Sequence, residues 1–121
     1  LHSNTHYGNA LAASVALEVL NIFEEEKFHN KTHQLNLSPM MHEIAKETGL
    51  LTNIRSIGAI CAADLINVDP LKLYQNSMHL GAILRPIGNN LYWIPPLNIS
   101  HKTLKELAEI TKIALLKSQL S

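Results

Sequence analysis

Apolar and polar positions along this chain change period from segment to segment, and each change marks an element. Ala10 to Phe23 (ALAASVALEVLNIF) carries apolar residues on nearly every face, the pattern of a helix covered on most sides, with Asn9 placed to cap it. Such a helix is sticky when bare, so self-association or a large partner surface is expected. From His29 to Thr48 the pattern is polar and amphipathic, and Pro39 interrupts it. Either the helix kinks there, or Ser38 caps a new one with Pro39 at its first position; Gly49 ends it.

Residues 53–66 (NIRSIGAICAADLI) are short, β-branched and apolar, which fits a strand pair or one strand bulged at Gly58. Asp69-Pro70 opens a helix that Gly81 closes. Ile83 to Pro86 and Leu91 to Ile94 read as two short strands joined at Gly88-Asn89-Asn90, residues suited to positive φ in a hairpin. Ser100 caps a last helix through about Leu116, with Lys112 and Lys117 near its negative end. The order predicts an α+β layer: a small, mostly antiparallel sheet with helices packed on one face.

Length and charge narrow the partners. The 121 residues, 46% hydrophobic, suffice for one domain with a real core. Ten basic residues balance ten acidic ones, and the longest like-charge run is Glu24-Glu25-Glu26, so no footprint for nucleic acid or an anionic membrane is present. No apolar run approaches the roughly 20 residues of a membrane helix. The single cysteine, Cys61, reads as a small buried hydrophobe in a reduced compartment, which points to the cytoplasm. The chain opens with Leu1, and His2 to Asn9 forms a loop with no element before it, so it reads as a fragment.

Candidate chemistry is sparse. His2 with His6, and His29 with His33, have helical spacing but no evident third ligand, and His42-Glu43 lacks a following histidine; no metal site is expected. Cys61 has no base beside it, and no glycine-rich phosphate loop exists, so no self-contained catalytic site is expected. Arg85 stands apart. It is one of two arginines, set among apolar residues in ILRPIGNNLYWIPP, and its guanidinium needs a partner: an ion pair with Asp64 or Glu18, or the carboxylate of a ligand gripped bidentately. Tyr92 lies across the hairpin from it, while Arg55 is placed at a strand edge. Thr5, in a loop running into a helix start, has the setting of a phosphate cradle or of a plain cap.

Three stretches together carry a resemblance: LHSNTHYGNALAASVALEVL, IRSIGAICAADL and ILRPIGNNLYWIPPLNIS. They resemble the C-terminal part of the class III, pyridoxal-phosphate-dependent aminotransferases, most closely the members acting in biotin synthesis. The resemblance implies the small C-terminal domain of the fold-type I kind over residues 10–121, with residues 1–9 as a cofactor-phosphate loop. It also implies pyridoxal 5'-phosphate as cofactor, held through Asn4 and Thr5, and substrate contacts from Ser3, Arg85 and Tyr92. The implied substrates are adenosylmethionine as amino donor and 8-amino-7-oxononanoate as acceptor, in a homodimeric enzyme. Ser3-Asn4 replaces the family's usual Gly-Pro, and Ala10 replaces a proline. None of the eight lysines matches the setting of the Schiff-base lysine, Lys72 included, so the chain alone is expected to be inactive. Two alternatives stand beside this: another ω-amino-acid aminotransferase of the class, and a non-catalytic binding or dimerisation module of the same fold.

Overall fold

The computed structural model describes residues 8–26, 35 and 37–120. Within these, four helices accompany a three-stranded antiparallel sheet: α1 (Ala10–Glu25), α2 (Leu37–Thr48), β1 (Leu51–Ile57), β2 (Ile60–Leu65), α3 (Pro70–His79), β3 (Asn90–Trp93) and α4 (His101–Lys117). The strands lie in the order β1-β2-β3, so sequence neighbours are sheet neighbours. This is the α+β layer that the pattern predicted.

Local chemistry explains most helix ends. The Asn9 side chain accepts from the Ala12 N–H at 3.0 Å, Asp69 from the N–H groups of Leu71 and Lys72, and Ser100 from Thr103 at 3.1 Å. Pro70 occupies the first turn of α3, where a missing N–H costs nothing. Gly49, at φ +69, ends α2 and gives its N–H to the Ala45 carbonyl. The start of α2 departs from both expectations. The helix begins at Leu37, so Ser38 is inside it rather than its cap, and Pro39 neither kinks nor opens it. Pro39 still lies in the first turn, where its nitrogen has no intrahelical acceptor to lose. Residues 29–34 of that expected segment lie outside the described residues.

Of the two readings for residues 53–66, the strand pair is found, turning at Gly58 (φ +55) and Ala59. The ladder irregularity falls between Thr52 and Arg55, where Asn53 adopts φ +51, and not at Gly58. The expected strand Ile83–Pro86 is not one. Residues 82–86 pair with no strand; two of their backbone donors turn to α3 instead, Ala82 N–H to the Ser77 carbonyl at 3.0 Å and Leu84 N–H to the Ser77 hydroxyl at 3.3 Å. Only Ile87 bridges Asn90, exchanging two hydrogen bonds of 3.1 and 3.0 Å across Gly88-Asn89.

Side-chain alternation splits the sheet into two faces. Cys61, Ala63, Leu65, Leu91 and Trp93 point inward to a core completed by Leu37, Met41, Leu73 and Leu115 from the helices, each of these last four at most 1% exposed. α2 packs on β1 and β2, and α4 packs on α2 and α3. Ala62, Asp64, Asn90 and Tyr92 take the other face. α1 has no buried residue, and Leu11, Val15, Leu17 and Leu20 are open on it.

The core holds one polar bond that ties two elements. Trp93 Nε1 donates to the Thr111 hydroxyl at 3.2 Å, and that hydroxyl donates to the Leu107 carbonyl at 2.7 Å. Thr111→Val keeps the shape and leaves the indole N–H buried without an acceptor, which is expected to cost about 1–3 kcal/mol. Urea denaturation of the variant checks this; an unchanged midpoint would contradict it.

Candidate functional site

Arg85 sits on the unpaired segment between α3 and β3, and its position is set by its neighbours. Leu84 is 3% exposed in the core, its N–H is held by the fully buried Ser77, and two residues beyond Arg85 the Ile87–Asn90 bridge closes the turn. The guanidinium is thereby carried outward from a fixed backbone. It opens on a cavity of about 520 Å³ walled by residues 81–85, by Tyr92 to Pro96, and by Ile99, Thr103, Glu106, Leu107 and Ile110. The sheet edge, the segment before it and the first turns of α4 thus meet around one space.

The ion pair considered for Arg85 is absent. Asp64 is engaged instead by Arg55 Nη1 at 3.0 Å and by Asn53 Nδ2 at 3.1 Å, and Arg85 makes no hydrogen bond or ion pair among the described residues, with Glu18 or any other. The reason is register. Arg55 faces Ala62 across the β1–β2 ladder, two residues from Asp64, and the irregularity at Asn53 turns both donors to the same carboxylate. Arg55 does lie on the edge strand, as expected, but its fork also bonds the Asn53 carbonyl at 2.7 Å and approaches Asn90 Oδ1 at 3.5 Å. A bonded cluster therefore occupies the open sheet face, while Arg85 keeps its donors free.

Tyr92 is half-buried on that same open face, opposite Ala62, and lines the cavity with Arg85. Arg85 and Tyr92, which the sequence placed near one another, both line this cavity, and Thr103 and Glu106, which it did not single out, line it with them. Their signal is the spacing of Thr103, Glu106, Leu107 and Ile110, which places them along one side of α4. Ser3, Asn4 and Thr5 fall outside the described residues, as do His2, His6, His29 and His33. Among the described residues no three His, Cys, Asp or Glu side chains gather to hold a metal, and no helix is long and apolar enough to cross a membrane.

Cys61 is fully buried, and that burial pushes its thiol above the ordinary value, with Arg55 offsetting part of the effect. It is held as a neutral thiol, unsuited to nucleophilic attack. Among the described residues no lysine lines the cavity.

The fold has counterparts among known proteins. The fold recurs in an amine transaminase from an uncultivated Pseudomonas species, with a TM-score of 0.85 at 22% identity over 98% of this chain and 30% of that one. It also recurs in an ornithine aminotransferase of Plasmodium yoelii, with a TM-score of 0.80 at 28% identity over 97% and 32% of the two chains. The family model for aminotransferase class-III matches residues 1–115, and this chain belongs to that family. Its curated relatives include the adenosylmethionine-8-amino-7-oxononanoate aminotransferase of Helicobacter pylori, 29% identical over 120 residues, covering 88% of this chain and 26% of that protein. The ornithine aminotransferase of Plasmodium chabaudi chabaudi is 34% identical over 119 residues, covering 90% and 28%. The chain therefore spans about a quarter to a third of the length of the proteins it matches.

The cluster at Asp64 has a pH signature. Hydrogen bonds from Asn53 and then Arg55 hold its carboxyl below the ordinary value of 3.8. A depressed carboxyl stabilises the fold above its ordinary pKa, and that contribution is lost as pH falls through the lowered value. Thermal midpoints followed from about pH 5 to about pH 2 are expected to fall less steeply in Asp64→Asn than in the parent. Identical acid limbs would remove Asp64 from the account.

Proposed function

We propose that this chain is the C-terminal part of a pyridoxal-phosphate-dependent aminotransferase, with Arg85 holding the substrate carboxylate and Tyr92 beside it. The observation that carries the reading is the unpaired guanidinium of Arg85 on a largely apolar cavity, in a chain of this family. An arginine fork matches a carboxylate bidentately, and with no competing acid bonded to it the fork is available to a ligand. Ile83, Ile94 and Ile110 would cover a methylene chain and keep water from it.

The cavity fits substrate rather than cofactor. With no amine among its described walls, it contains nothing to hold an aldehyde covalently, so that anchor belongs to another part of the protein. When bound, the cofactor supplies the electron sink for moving an amino group. In the proposal the phosphate is held by Asn4 and Thr5 in a loop over residues 1–9, with Ser3 turned to the substrate and residues 10–121 forming the small domain. Arg85 and Tyr92 move no proton; they orient the substrate so that its reacting carbon meets the cofactor.

For the particular reaction we propose transfer from adenosylmethionine to 8-amino-7-oxononanoate, giving 7,8-diaminononanoate, in a cytoplasmic homodimer. Support comes from the ILRPIGNNLYWIPP stretch and from the Helicobacter pylori relative. The second reading, an aminotransferase acting on an ω-amino acid such as ornithine, draws on the Plasmodium relatives.

In the complete enzyme, Arg85→Ala is expected to raise the Michaelis constant of the keto acid roughly 10- to 100-fold, the loss of a charge-assisted pair. The cofactor absorbance should stay in place. An unchanged constant would sink the clamp. Donor preference separates the two reactions: amino transfer from adenosylmethionine but not from ornithine supports the first, and the reverse replaces it with the second.

A further inference from the structure

Two side chains of opposite charge face the cavity without meeting. Arg85 stands on the segment before β3, and Glu106 on the second turn of α4; no ion pair joins them, and Glu106, too, has no bonded partner among the described residues. Apart from these two, the cavity walls carry no ionisable side chain besides the Tyr92 phenol. A cavity lined by an unpaired guanidinium and an unpaired carboxylate, on walls that otherwise are largely apolar, is complementary to a ligand with the reverse pattern of charge.

We infer that Glu106 is a specificity-determining residue: it favours substrates that carry a positive group as well as the carboxylate held by Arg85, and it disfavours dicarboxylates. The inference rests on the clamp role proposed for Arg85. Its physical content is a difference between ligands. A carboxylate at the far end of a dicarboxylate would approach Glu106 with like charge, a neutral end would be indifferent, and a cationic end would be attracted. Glu106 is exposed, so solvent screening limits the preference to about three- to fivefold.

The test uses the complete protein and three probes of matched chain length: hexanoate, adipate and 6-(trimethylammonio)hexanoate, whose quaternary nitrogen cannot itself be transaminated. Dissociation constants come from calorimetric titration. The parent protein is expected to bind the cationic probe about three- to fivefold tighter than hexanoate, and adipate more weakly than hexanoate. Glu106→Gln, isosteric and on an exposed helix position, should bring the three within about twofold of one another with its thermal midpoint unchanged. Arg85→Ala should weaken all three. If Arg85→Ala weakens all three while Glu106→Gln keeps the preference, the clamp stands and the inference about Glu106 falls. If Arg85→Ala leaves hexanoate binding intact, the clamp itself fails, and the inference fails with it.

Discussion

The indole N–H of Trp93 needs an acceptor where no water reaches, and the arrangement of the site follows from how that need is met. Thr111 supplies the hydroxyl, and in doing so fixes the end of β3 against the middle of α4. Both elements contribute walls to the cavity. A buried, satisfied polar bond of this kind is directional in a way that leucine packing is not, so it sets the register between strand and helix as well as their separation. Tyr92 and Glu106 inherit their places from it, one on the neighbouring strand position and one just over a turn earlier on the helix.

The third wall is fixed by a different device. The segment carrying Arg85 is held off the sheet where Ser77 of α3 takes the Ala82 and Leu84 N–H groups and the core takes the Leu84 side chain. Along it the chain places Leu84 inward and Arg85 outward and returns to β3 through the Ile87–Asn90 bridge. Meanwhile Arg55, Asp64, Asn53 and Asn90 satisfy one another on the open sheet face, which leaves Arg85 the arginine with donors to spare.

Much of this was legible beforehand, and the misses share a cause. The caps at Asn9, Asp69 and Ser100 and the stop at Gly49 were readable because each depends on a hydrogen bond or a φ angle within a few residues of itself, whereas Gly58 was left open between a turn of a strand pair and a bulge. Arg85 and Tyr92 were read as near neighbours because a short turn separates them, and they do share the cavity although no strand pairing joins them. The strand at Ile83–Pro86 was misread because a β-branched, apolar run says nothing about which donors a distant serine will take. The partner of Asp64 was left open for the same reason, and Glu106 was passed over because a lone glutamate near a helix start is indistinguishable in sequence from a solvated one.

By itself the sequence determined the kinds and order of the elements, the capped ends and the family, since those are written in local pattern and in short motifs. Tertiary structure alone decided which arginine would be satisfied and which left free. Two guanidinium groups and one suitable aspartate were present from the start, and only the β1–β2 register, with its irregularity at Asn53, brought Arg55 rather than Arg85 within 3.0 Å of Asp64.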